Sequence, residues 1–436
     1  MSDWKTLYKQ KLTSADEAVK HIKSGDRVVI SHATGEPTIL VDAMVRNASA
    51  YRNVEIIHMV AMGKSEYCKP EYAENFRHNA LFVGASTREA VADGRADFTP
   101  VFFHHITGLL ETSLKPDVAL VHLTPPDESG HCSFGIAVDF SKPGAENATI
   151  KIAQINPNMP RTLGDTFIHV SELDHIVETD VPIIELKPPA LGEVELAIGR
   201  NCASLVNDGD CLQLGIGGIP DAVLAGLSDK KDLGIHTEMF SDGVVDLVQK
   251  GVINNSKKNF KPGKFIATFL MGTRKLYDFV NNNPDVEMHP AHFTNNPINA
   301  GQNDNLVSIN SCVQVDLYGQ VVSDSVGERQ ISGVGGQVDF VRAASFSKGG
   351  RSILAMPSCV RGKGISKIVP FIDHGAAVTT SRFDVDYIVT EFGVAHLHGQ
   401  TLRERAYRLI EIAHPDFQPE LQKEYERRFK CPYPSK

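Results

Sequence analysis

Nowhere in the 436 residues does an apolar run approach the roughly 20 residues that span a bilayer, and Met1 to Thr6 carries no apolar core of a secretion signal. A cytoplasmic protein without a membrane partner is expected. Basic residues are the minority: 44 Lys and Arg stand against 53 Asp and Glu, for a net charge of -9 and a pI near 6.0. That balance excludes nucleic acid or an anionic membrane as the main partner, since both need a basic field, but leaves room for a local phosphate-binding patch.

The seven cysteines (68, 132, 202, 211, 312, 359 and 431) are odd in number, with no Cys-x-x-Cys pair. Neither a disulfide framework nor a zinc site is indicated. Nor do the 17 histidines show His-Glu-x-x-His spacing. His104 and His105, after Phe102 and Phe103, read as a strand end, and Asp373-His374 as a helix end, so no metal is expected. Nucleotide and hydrolase signatures are missing as well: there is no Gly-x-Gly-x-x-Gly, no P-loop and no Gly-x-Ser-x-Gly elbow.

What is present is ordinary globular composition, 42% hydrophobic and 22% charged, in a chain long enough for two or three domains. An early phrase recurs. Ser14 to Ile22 reads as a helix capped by Ser14, Gly25 stops it, Arg27 to Ser31 is a strand, and a loop through Gly35 and Pro37 feeds a helix from Thr38. In the second half Glu195 to Val206 is the helix, Gly209 the stop, Cys211 to Leu214 the strand, and Gly215 to Pro220 the loop into Asp221 to Leu227. Val54 to Val60 then matches Leu233 to Glu238 when His58 is aligned with His236, which sets Val60 against Glu238. Two domains of one architecture are expected, each an open α/β unit with a mainly parallel sheet.

Further strands are expected at 80–83, 101–103, 118–123, 150–155, 264–272, 307–316, 320–323, 352–356 and 387–391, with helices at 273–280, after 336 and in the tail, 401–429. The proline-rich stretch 178–193 is the best boundary, giving domains 1–185 and 186–436.

Glu238 interrupts an apolar stretch that runs from Leu233 through Met239, just before the turn residues Ser241-Asp242-Gly243. One reading makes it a nucleophile at a strand end, where open α/β sheets bind ligands. The other makes it a cap or ion-pair partner of the following turn. Two Gly-x-Gly-Gly phrases, Gly215 to Gly218 and Gly333 to Gly336, each stand between a strand and a helix. Such glycines let backbone N–H groups cup an anion, or serve only as tight turns. A carboxylate beside an amide cradle suits acyl transfer: the amides stabilise an oxyanion while the carboxylate attacks.

Several long phrases together resemble the acetyl-CoA hydrolase/transferase branch of the class I coenzyme A transferases, and within it the 4-hydroxybutyrate CoA-transferases. They are Ile216 to Leu224, His236 to Asp246, Thr268 to Phe279, Gln314 to Gln320 and Ser332 to Arg342. The likeness spans nearly the whole chain. It implies an active site between two α/β domains, commonly in a homodimer or higher homo-oligomer. It further implies a ping-pong transfer of CoA from acetyl- or butyryl-CoA to a small carboxylate, with 4-hydroxybutyrate the favoured acid.

By similarity Glu238 is the glutamate that becomes a glutamyl-CoA thioester. Gln213, Leu214, Gly215, Ile216, Gly217, Gly218, Gly335 and Gly336 fall at CoA or oxyanion positions. Val313 and Lys363 lie along the CoA path, Lys363 reading equally well as a solvated loop residue. His32 would face Glu238, and the N-terminal loop His32 to Pro37 together with the 58–64 region would set chain-length choice. Coenzyme A enters as a substrate thioester, and no tightly held cofactor is expected. An acyl-CoA hydrolase on the same scaffold and a non-enzymatic CoA-binding regulator are the alternatives.

Overall fold

Val28, Val29 and Ile30 are buried in the strand Arg27–Ile30, which lies inside a parallel sheet because both of its faces are apolar. The computed structural model describes residues 4–434. Its chain divides into two units: one holds the residues up to Lys187 with Ile266–Thr294 and Gln330–Gly335, the other holds Pro188–Phe265, Asn295–Arg329 and the remainder from Gly336.

The first unit is built on seven parallel strands, in the spatial order His175–Glu178, Ile150–Ile155, Val118–Leu123, Arg27–Ile30, Val54–Met59, Phe76–Phe82, Ala96–Phe98. Every residue of Val118–Leu123 is buried, as its unbroken apolar sequence requires. The helix Thr38–Arg46 packs Leu40, Val41 and Met44 against Val28, Ile30 and Ile56 of the sheet. Burying each such side chain stabilises the unit by about 1.5–3 kcal/mol. Ser14 caps the short helix Ala15–Ala18 by accepting from the Glu17 N–H at 3.3 Å.

The second unit carries six strands in the order Gly234–Ile235, Cys211–Leu214, Leu306–Ser311, Arg351–Ala355, Tyr387–Thr390, Gly393–His396. All neighbours are parallel except the final pair, which is antiparallel. The two sheets share a central arrangement, although the first continues through Phe76–Phe82 and Ala96–Phe98 beyond Val54–Met59 while the second ends at Gly234–Ile235. In each, the first strand of the repeated phrase stands between the second strand and a later one, and the sheet grows outward through successive strands on that later side. The α/β class with mainly parallel sheets, expected from the recurring phrase, is therefore observed.

Three local expectations are corrected. Phe103–His105 is a turn of 3-10 helix rather than a strand end, because it leads directly into the helix Ile106–Glu111. Asp373-His374 lies in a turn before Gly375, whose φ of 80° ends it, not at a helix end. The apolar run 264–272 is broken at Thr268 into Phe265–Ala267 and Phe269–Leu270, which pair in different small sheets. A continuous apolar sequence does not reveal such a change of partner.

Candidate active site

Within the second unit, Cys211 lies opposite Gly234 and Leu212 opposite Ile235. Thr237 extends that register: its hydroxyl donates to the Leu214 carbonyl at 3.0 Å and accepts from the Leu214 N–H at 3.2 Å. The next residue, Glu238, is thus the first beyond the bonded edge, at the carboxyl end of the sheet and level with Gly215. Thr237 is buried while Glu238 is partly exposed, so the carboxylate stands at the surface of a rigid floor.

Asn295 meets it there. Its Nδ2 donates to Glu238 Oε2 at 2.7 Å, and the side chain is fully buried. The amide oxygen on the other side of Asn295 has no hydrogen-bond partner. An amide held in this way fixes the orientation of the carboxylate, because a donor at one oxygen selects a single rotamer.

Gly336 closes the arrangement. It begins the helix Gln337–Phe346, and a Cβ added to it would collide with both Glu238 Oε2 and Asn295 Nδ2. Only glycine lets the start of this ten-residue helix, with its outward-pointing N–H groups, come so near the carboxylate. Gln337 pins the helix by donating to the Ser311 carbonyl at 3.0 Å. Preceding it, Gly335 has a φ of 53°.

The other expected residues lie as follows. Gln213 is buried, its Oε1 accepting from Ser308 Oγ at 2.7 Å and Asn310 Nδ2 at 2.9 Å, so its side chain braces the sheet. Leu214 is buried beside it, and Gly215 leads into the loop. Ile216 is 37% exposed; Gly217, at φ 106° and ψ -175°, adopts a conformation essentially reserved for glycine; Gly218 starts the helix Gly218–Ala225. Glu195 approaches this loop, since its Cγ lies 3.4 Å from where a Gly218 Cβ would be.

The same Glu195 lines a groove of about 460 Å³ with Val194, Pro357, Val360, Arg361 and Lys367. Val313 is half-buried, its N–H bonded to the Val322 carbonyl at 2.8 Å. Lys363 is exposed at the tip of the hairpin formed by Cys359–Val360 and Ile365–Ser366.

His32 belongs to the first unit and lies 1% exposed there, its ring 4.3 Å from that of Phe269 and its Nδ1 3.3 Å from Asp139 Oδ2. Five thiols offer no rival nucleophile: burial pushes Cys68, Cys132, Cys202 and Cys312 up to about 12 and Cys211 up to about 11. Among the described residues, no group of three or more His, Cys, Asp or Glu side chains is arranged to hold a metal ion.

Asn295 escaped the sequence reading. It stands in Thr294-Asn295-Asn296-Pro297, where an asparagine before proline reads as a helix cap. Asn296 does serve as that cap, accepting from the Ile298 N–H at 3.0 Å, which leaves the neighbouring asparagine to Glu238.

A carboxylate at the carboxyl end of the sheet, a buried amide donor and a glycine before a helix thus meet in the second unit. The chain belongs to the acetyl-CoA hydrolase/transferase family: the family's N-terminal domain matches residues 1–186 and its C-terminal domain residues 272–425. It is 60% identical over 429 residues to the 4-hydroxybutyrate coenzyme A transferase of Clostridium kluyveri, covering 98% of this chain and all of that one. To the butyryl-CoA:acetate CoA-transferase of Anaerostipes caccae it is 38% identical, covering 97% of this chain and 98% of the relative. Among solved structures, RipA from Yersinia pestis superposes with a TM-score of 0.93 at 37% identity, covering 98% of this chain and all of that one.

Proposed function

We propose that this protein is a CoA-transferase that moves CoA from acetyl- or butyryl-CoA to 4-hydroxybutyrate, with Glu238 as the nucleophile. The observation that carries the reading is the Glu238 carboxylate, oriented by Asn295 and approached by the Gly336 backbone. The 60% identity to a 4-hydroxybutyrate coenzyme A transferase supports the choice of acid.

In the proposed cycle a Glu238 oxygen attacks the thioester carbonyl, forming a tetrahedral oxyanion. Collapse expels CoA thiolate and leaves an acyl-glutamyl anhydride. The thiolate then attacks the glutamyl carbonyl, expelling the first carboxylate and leaving glutamyl-CoA thioester. A second carboxylate attacks that thioester and the two steps run in reverse, regenerating the Glu238 carboxylate; no proton need be moved. N–H groups of the 215–218 loop and of the helix start at Gly336 are the oxyanion donors in this scheme. The groove beside Glu195, about 460 Å³ with Arg361 and Lys367 as well as Glu193 and Glu391 on its wall, would take part of the CoA chain in this reading. Lys363 on the adjoining hairpin would meet a CoA phosphate.

CoA is then a substrate, and no resident cofactor is needed. Among the described residues no helix is long and apolar enough to cross a membrane, which suits a cytoplasmic enzyme, and a homodimer belongs to the same proposal. The test is product analysis with butyryl-CoA, with and without 4-hydroxybutyrate. Formation of 4-hydroxybutyryl-CoA and butyrate, with negligible CoA release when the acid is omitted, supports transfer; CoA release at the same rate in both would make the protein a hydrolase.

A further inference from the structure

The helix Gln337–Phe346 starts beside Glu238 and ends at a separate cavity on the other side of the same sheet's length, within the second unit. The cavity holds about 360 Å³, inside the range of roughly 300–1,000 Å³ that small-molecule sites occupy. Val341, Ala344 and Ser345 of the helix and its cap Ser347 form one wall. The floor lies at the amino end of the sheet: Ser352 is the second residue of Arg351–Ala355, and Asp386 immediately precedes Tyr387–Thr390. Gly350 joins wall to floor. A Cβ there would collide with the Ala344 carbonyl and the Ser347 side chain, so only glycine lets the chain turn in so closely.

These walls favour positive charge. Asp384 and Asp386 both line the cavity, whereas among the described residues no lysine or arginine does. The carboxyl end of the helix adds the negative end of its dipole. Asp384 pairs with Arg342 at 3.6 Å, and Asp386 Oδ1 lies 3.1 Å from His396 Nε2. Burial, the largest influence, still raises the Asp386 carboxyl, against the opposing pull of the Ser352 N–H and of His396 and His398.

Ser352 is an independent sign of a ligand. It is 3% exposed and its N–H is spent on Asp386 Oδ2 at 3.3 Å, but its Oγ makes no hydrogen bond among the described residues. A buried hydroxyl without a partner is destabilising, and a polar group entering the cavity that Ser352 lines would satisfy it. At the rim Phe383 is 79% exposed, and an aromatic face attracts a nearby cation.

We propose that this cavity is a second ligand site, for a short primary alkylammonium ion. The ammonium lies between Asp386 and Ser352 Oγ, and its alkyl chain rests on Val341, Ala344 and Phe383. An ammonium brings three N–H donors and no acceptor, which matches a cavity of carboxylates and hydroxyls. The site stands apart from Glu238 and does not depend on the CoA-transfer reading. A free amine and a lysine side chain of another protein share this chemistry.

The experiment titrates n-butylammonium chloride into the whole protein by calorimetry, with 1-butanol as the neutral control and sodium chloride as the salt control, and repeats it with Nα-acetyl-lysine methylamide. Wild type should bind butylammonium with a Kd of about a millimolar or tighter, and butanol at least about tenfold more weakly. Ser352→Ala and Asp386→Asn should each weaken binding on the order of tenfold, the scale of a lost hydrogen bond to a charged group, and Phe383→Ala about threefold. Glu238→Ala should bind as wild type does. Phe383 is exposed and the Ser352 hydroxyl is unpaired, so these two variants keep the test valid if Asp386→Asn fails to fold. No heat up to about 10 mM, equal binding of butanol, or unchanged affinity in both Ser352→Ala and Phe383→Ala overturns the proposal. Loss of binding in Glu238→Ala also overturns it, by placing the amine at the catalytic carboxylate. Tighter binding of the lysine mimic than of butylammonium supports the site and assigns its occupant to a protein lysine; weaker binding supports it and assigns a free amine.

Discussion

At Gly336 a single methyl group should separate a working carboxylate from an idle one. Gly336→Ala puts a Cβ into Glu238 Oε2 and Asn295 Nδ2, and its own φ of -91° is open to alanine, so the backbone should tolerate the change while the carboxylate moves aside. We expect kcat to fall by about a hundredfold or more, the usual consequence of misplacing a reacting group by an ångström, with the thermal midpoint changed by only a few degrees. Asn295→Ala should lower kcat by about ten- to a hundredfold by removing the Nδ2 donor that orients the carboxylate, and Asn295→Asp by more, because it sets a second negative charge within 2.7 Å of the first. Equal activity in Asn295→Asp and wild type would remove the positioning role. Glu238 and Gly336 were legible in the sequence because a charge inside an apolar stretch and a glycine before a helix each break a local pattern. Asn295 breaks none, and only the fold brings it to a glutamate 57 positions away.

Strands that are buried on both faces announced themselves: 118–123 and 150–155 are the observed Val118–Leu123 and Ile150–Ile155. Short edge strands did not. Ala96–Phe98 has three residues and an exposed middle position, too little for an apolar period to register. The first sheet also buries histidines, which makes a prediction about pH. Burial pushes His78 and His122 down to about 4 and His58 down as well, so the folded sheet holds them neutral. In the unfolded chain they take up protons near the ordinary 6.5. Stability is therefore present above about 6.5 and lost as pH falls from there toward 4, by up to about 1.4 kcal/mol per pH unit for each histidine. Glu36 acts in the opposite sense: its raised carboxyl favours the folded state below the ordinary 4.5 and loses that contribution as pH rises through about 7. With three histidines against one acid, the urea midpoint should drop between pH 7.5 and 5; an unchanged midpoint would contradict the neutral-histidine account.

Over the whole molecule, the recurrence of helix, strand, loop, helix and strand was readable because the same turn and glycine chemistry punctuates both copies. It led to two mainly parallel sheets in which the first strand of the phrase lies between the second and a later one. What the linear chain concealed is that Ile266–Thr294 and Gln330–Gly335 fold with the first unit although they lie in the second half. Long-range exchange of segments leaves no periodic trace. At the equivalent edge one copy carries Val60 and the other Glu238, so the proposed nucleophile has no counterpart in the first unit.

The most direct test of that claim is the intact mass of the protein after incubation with butyryl-CoA and no acceptor acid, for wild type and Glu238→Ala. The account predicts a CoA-sized adduct on wild type alone, discharged when 4-hydroxybutyrate is added. Turnover without any adduct on wild type, or an equal adduct on Glu238→Ala, would contradict it.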